Sequence, residues 1–225
     1  MIVVIGAMGL RGTIDEPAPD GLAPEIACAA AASGARVELI SKVGDDPAGD
    51  TVLLALARAG VGHVATLRDP ARLTPVRPRA DEPTDPADPS VDSIDAGHAD
   101  AAATPGATAS SGASPAEPEP TLDAADIALA LRYLTDFEVL VAVHSSPDLL
   151  AEAVSAASWS GARLVVVVEP ETEVPAGLPP DALVVAATPD DAEGVGARIG
   201  RYAAALSRGD DAAAAYRELT AVPPA

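Results

Sequence analysis

Short apolar runs alternate with Ala-rich segments along this 225-residue chain. The alternation predicts an α/β fold, a three-layer α/β/α arrangement around an open and mainly parallel sheet. Three observations carry that prediction. Runs such as Ile2-Val3-Val4-Ile5 and Val139-Leu140-Val141-Ala142-Val143 are apolar at every position, as strands covered on both faces must be. The segments between the runs have the length of crossover helices and begin or end at Ser, Pro or Gly. The length suits one sizeable core, or at most two small domains, and 48% of residues are apolar.

Taken in order, the first strand runs to Ile5 and stops at Gly6. Residues 24–32 predict an Ala-rich helix that breaks at Ser33-Gly34. Val37-Glu38-Leu39-Ile40 follows as a strand, Val43-Gly44-Asp45-Asp46-Pro47 as a turn, and residues 51–59 as an amphipathic helix closed by Gly60. Residues 61–67 add a short strand. Composition then changes abruptly. Residues 69–120 are rich in Pro, Asp, Ala, Ser and Thr without apolar periodicity, so they are expected to form a long disordered insertion. Residues 1–68 and 121–225 are expected to form one domain around it, because loop closure costs grow only logarithmically with length. Order resumes at Leu122, with a helix over 123–134 capped by Thr121 or Asp123. A strand over 139–143 leads to a helix over 147–158, with Ser146 as N-cap and Pro147 in its first position. Strands over 164–168 and 183–186 precede helices over 189–207 and 211–219.

Bulk properties narrow the function. The net charge is −20 and Lys42 is the sole lysine, so such a surface repels phosphate backbones and excludes nucleic acid as a partner. Aromatic residues make up only 2%, so Ala, Val and Leu must fill the core, with Phe137 and Trp159 expected to anchor the second half. Cys28 stands alone and is expected to be a buried, inert thiol in a reducing compartment. No apolar run approaches the length of a membrane span, and residues 1–10 lack a basic leader, so a soluble, cytoplasmic protein is expected.

Residues 34–61, from Gly34-Ala35-Arg36 through Val43-Gly44-Asp45-Asp46-Pro47 to Gly60-Val61, resemble the first signature region of the ribokinase-like (PfkB) family of carbohydrate and nucleoside kinases. The likeness continues. Residues 122–149 resemble the family's helix–strand–helix before the acceptor region, and Val165-Val166-Val167-Val168-Glu169-Pro170 its strand ending in Asp-Pro-Asn. Residues 178–185 resemble the strand leading to Asn-x-x-Glu. The resemblance implies a ribokinase-like sandwich and a substrate site built from Gly9, Arg11, Glu25, Gly44, Asp46 and His144. Several of these depart from the family. Gly9-Leu10-Arg11 stands where a sugar-binding Asp is usual, and Asp20-Gly21 and Glu25 replace the Gly-Gly turn and the Asn. Ala187-Thr188-Pro189-Asp190 replaces Asn-x-x-Glu, leaving Asp190 as the candidate for any metal. The lid over the sugar would fall in the Pro/Asp-rich insertion. The family's late Gly-Ala-Gly-Asp holds the transferring phosphate on a helix N-terminus and supplies the base. No match is expected here, since the chain ends before such an element and Arg208-Gly209-Asp210-Asp211 is the nearest string.

Other motifs read as structure. Gly6-Ala7-Met8-Gly9-Leu10-Arg11-Gly12 has G-x-x-G-x-x-G spacing rather than a dinucleotide fingerprint. His144-Ser145-Ser146 lies at a strand end without a nucleophile elbow, which favours a cap at Ser146 with His144 as a ligand contact. Asp45-Asp46 and the acidic runs near 169–173 and 190–193 lack His or Cys at metal-ligand spacing, and His63 and His98 are isolated. The leading expectation is therefore a catalytically incomplete family member that binds a small metabolite or a partner protein. The alternatives are an active Mg-ATP-dependent kinase completed by a homodimer or second chain, and an interaction protein that works through its acidic insertion.

Overall fold

The computed structural model describes residues 1–12, 16–78, 118–173, 176–188 and 194–220. Its centre is a six-stranded sheet in which every neighbouring pair is parallel. The strands are β1 (Ile2–Ile5), β4 (Val37–Gly44), β5 (Thr66–Asp69), β7 (Val139–Val143), β8 (Arg163–Val168) and β9 (Leu183–Ala186), in the order β5-β4-β1-β7-β8-β9. Apolar side chains of successive residues face opposite layers. Ile2 and Val4 join the core under α1 (Leu22–Ala32), α2 (Pro47–Arg58), α5 (Val195–Ser207) and α6 (Ala212–Thr220). Val3 and Ile5 join the core under α3 (Ala124–Leu131) and α4 (Pro147–Ser160). The predicted three-layer α/β/α class with a mainly parallel sheet is the observed one.

Local chemistry explains where the helices start. Asp46 caps α2 through Gly49 N–H, with Pro47 in the first turn, so the helix begins four residues earlier than its periodicity suggests. Asp123 and Asp126 form a reciprocal capping box on α3. Ser146 caps α4, and Gly161 ends it at φ 71, a left-handed position natural to glycine.

Several expectations are corrected. The predicted turn at Val43-Gly44 is the end of β4, which runs on because Lys42, Val43 and Gly44 pair with Leu67, Arg68 and Asp69. Ordered backbone also continues past the expected insertion boundary at 69, to residue 78. There β6 (Val76–Arg77) pairs with β2 (Gly9–Arg11), which pairs in turn with β3 (Ala18–Asp20), making a small second sheet in the order β3-β2-β6. Residues 79–117 lie outside the described residues. Phe137 is buried, but Trp159 is 87% exposed near the end of α4 and anchors nothing in the core. Its helix buries Leu150, Ala153 and Ala157 instead, and position 159 falls off that stripe. Cys28 is only partly buried; burial raises its thiol pKa, with Glu25 adding to the effect. Among the described residues no helix is long and apolar enough to cross a membrane.

Candidate functional site

Strand order places the site. From β1 the chain winds outward through β4 and β5, and the second half winds the other way through β7, β8 and β9. The direction reverses between β1 and β7, and in open α/β sheets ligands bind outside the carboxyl ends of the strands at such a point. Here those ends lead into Gly6-Ala7-Met8 and His144-Ser145-Ser146. A cleft of about 240 Å3 opens between them and is lined by Met8, Gly9, Asp20, Arg77, His144 and Glu169, among others.

His144 is held firmly at the centre of this end of the sheet. Its backbone takes φ 42, unusual for a residue with a side chain. The backbone N–H donates to Val167 O at 2.9 Å, and the ring Nε2 lies 2.9 Å from Ala187 O. A carbonyl can only accept, so Nε2 carries the hydrogen, and in the neutral ring Nδ1 is the acceptor. Hydrogen bonds to Val167 in β8 and to Ala187 just past β9 thus hold the ring in place.

The small sheet supplies the cleft's charge. Asp20, only 3% exposed, accepts from Arg11 Nε at 2.7 Å and ion-pairs with Arg11 Nη2 and, at 3.2 Å, with Arg77 Nη1. Each of β2, β3 and β6 contributes one member. A buried carboxylate needs such partners, and two half-exposed guanidiniums sharing it leave donor capacity over for a bound molecule.

Glu25 belongs to a different point. Its Oε1 accepts Ala197 N–H at 3.2 Å, so the carboxylate of α1 occupies the start of α5. Burial raises the Glu25 pKa above its ordinary 4.5, against the lowering effects of the Ala197 N–H and the Arg11 charge. A carboxylate with a raised folded-state value adds stability below its unfolded value and loses it as pH rises through the folded one. Glu25→Gln should therefore melt higher than the parent protein at pH 7. That advantage should shrink as pH falls toward 4.5. Melting curves across this range check it, and a variant less stable at neutral pH would show that the carboxylate's bond to the helix outweighs its desolvation.

The predicted residues thus divide. Gly9 and His144 line the cleft, and Arg11 holds its buried Asp20. Gly44 and Asp46 are engaged elsewhere. Gly44 N–H donates to Thr74 Oγ1 at 2.9 Å, and Asp46 accepts from Gly49 N and Thr74 N, both at 2.7 Å. Asp190 lies outside the described residues, among which no group of three His, Cys, Asp or Glu side chains could hold a metal.

Three features went unread in the sequence. In the sequence Asp20 reads only as part of a replaced turn, and Arg77 falls within the expected insertion. The third is Gly194-Val195-Gly196-Ala197, which opens α5 and shares with the Gly-Ala-Gly-Asp described above its two glycines but not its acid. The available signal was Gly-x-Gly directly before an Ala-rich helix. These residues do not fit a bound phosphoryl group, because the Glu25 carboxylate already takes one of the N–H groups it would need.

Solved structures resemble this architecture. A putative ribokinase II from E. coli, in complex with ATP and Mg2+, superposes with a TM-score of 0.60 at 16% identity, over 95% of this chain and 88% of that one. A putative ribokinase from Agrobacterium tumefaciens gives 0.54 at 15% identity, over 95% and 86%. Sa239 gives 0.51 at 14%, covering 77% of this chain, which spans only 56% of Sa239. No protein-family model matches the sequence, and no curated protein matches it either. Likeness at this level of identity bears on architecture, and the architecture of this chain is the ribokinase-like fold.

Proposed function

We propose that this chain is a catalytically incomplete relative of the sugar kinases, a cytoplasmic small-metabolite-binding or regulatory protein whose ligand sits in the switch-point cleft. One observation carries the reading: the start of α5 is occupied by the protein's own Glu25 carboxylate, with a methyl group at residue 197. Phosphoryl transfer depends on positioning and on stabilising developing charge. A carboxylate at the anion-binding point opposes a phosphate by like charge, and alanine cannot take a proton from an attacking hydroxyl. The cleft, by contrast, keeps a buried, doubly paired carboxylate and a fixed histidine, groups suited to a hydroxyl-rich metabolite.

The test pairs turnover with binding. Pure protein with Mg-ATP and a panel of sugars and nucleosides should release no ADP above the protein-free control. One sugar or nucleoside alone should raise the melting temperature. At about 100 times Kd a ligand adds about 2.7 kcal/mol, several degrees for a domain of this size. Sustained ADP release coupled to a phosphorylated sugar would overturn the reading.

A further inference from the structure

A larger cavity lies beside the cleft and has a different character. It measures about 760 Å3 against about 240 Å3 for the cleft, within the size range of small-molecule sites. Its origin is topological. Parallel neighbours such as β8 and β9 are usually joined by a helix that covers the sheet. Here residues 169–173 and 176–182 make no helix. The end of β8 at Val168 is therefore left partly uncovered between α4 and this connection, with Leu150, Ala151 and Val154 forming the α4 wall. The rim is acidic: Glu169 and Glu173 stand there, and no Lys or Arg is among the described lining residues. His144 also borders it; with Nε2 donating to Ala187 O, Nδ1 of the neutral ring is an acceptor.

We propose that this cavity is a second ligand site, for a small amine: a cationic group on an apolar body the size of one or two rings. Apolar walls take the body, while two carboxylates and a ring acceptor face the cation. The same rim repels phosphate and carboxylate ligands; the cavity borders the cleft through His144 and Glu169, while Glu173 and the α4 wall belong to the cavity alone.

Tryptamine and its acidic isostere indole-3-propionate are the probes, with binding measured by calorimetry. Two exposed carboxylates together are worth about tenfold. Tryptamine should therefore bind at least about tenfold tighter than the acid, and Glu173→Gln should weaken it by about threefold. Val154→Trp, which projects a bulky ring from the α4 wall into the cavity, should weaken binding by at least about tenfold while circular dichroism shows an intact fold. Arg77→Ala alters the cleft alone and should leave tryptamine affinity unchanged. The proposal is overturned if the two indoles bind equally, if neither binds at millimolar concentration, or if Arg77→Ala removes binding. Should Val154→Trp fail to fold, the exposed Glu173→Gln variant still decides the matter: unchanged tryptamine affinity there contradicts the acidic rim.

Discussion

Gly200→Ala should lower stability by about 2 kcal/mol, although alanine is the better helix former by about 1 kcal/mol. The reason is the closeness of α1 and α5, which pack along their lengths on one face of the sheet. A Cβ on Gly200 would sit 2.5 Å from Ile26 O, 2.7 Å from Ala29 Cβ and 2.9 Å from Ala30 N. Two of those three atoms are backbone, which no rotamer change can move. The helices must separate, and the contacts they share with Ile26, Ala27, Ile199 and Ala203 loosen together. One turn earlier, Gly196 faces α1 in the same way, with the Glu25 carboxyl group 2.6 Å from where its Cβ would be. The close crossing that requires Gly200 is thus also what brings Glu25 to the start of α5. Urea titration should show a lower midpoint with an unchanged slope, and a fall in melting temperature of about 4–8 °C. Gly200→Leu should cost more. A Gly200→Ala variant more stable than the parent would mean that the helices separate at little cost and that propensity decides.

How far the sequence could be read depends on whether burial or pairing made each element. β7 has the bounds its apolar run predicts, because a strand covered on both faces is apolar throughout. β9 also keeps its predicted bounds, although it is a partly exposed edge strand. The small sheet left no such trace. Its strands are two or three residues long, include Gly9, Pro19 and Arg77, and depend on a pairing between Leu10 and Val76 that joins distant parts of the chain. Composition around residue 76 points to an insertion, and only tertiary pairing contradicts it. The site divides along the same line. Gly9 is a candidate through the family resemblance and His144 through its place at a strand end, and both line the cleft. The Asp20 cluster could not, since Arg11, Asp20 and Arg77 meet only after β2, β3 and β6 have paired. Gly194-Val195-Gly196 carries no acid at the next position, so the string alone does not mark a site; the structure puts it at the start of α5, against Glu25 of α1.

Asp46→Ala should cost about 2–3 kcal/mol, for reasons that have nothing to do with ligand. Burial alone would raise the Asp46 pKa, but hydrogen bonds from the Thr74 and Gly49 N–H groups outweigh it and hold the carboxyl below its ordinary 3.8. One oxygen caps α2 at Gly49, and the other ties down the chain at Thr74. Losing a cap costs about 1 kcal/mol, and losing a charge-assisted bond to a partly buried N–H about 1.5–2 kcal/mol more. Gly44 tightens the same knot. Its N–H meets the Thr74 hydroxyl, and a Cβ there would fall 2.5–2.7 Å from Asp46 Oδ2, Arg72 O and Thr74 N. The two bonds can be separated. Asn also caps helices, so Asp46→Asn should keep the Gly49 bond, but its amide opposes the Thr74 N–H, donor to donor, and most of the loss should remain. Because the folded-state pKa is depressed, the contribution is present above the ordinary carboxylate value and is lost as pH falls through the folded one. Parent and Asp46→Ala melting temperatures should therefore converge in acid. Equal melting temperatures at pH 7 would instead free Asp46 from this structural role and return it to the ligand-binding candidates.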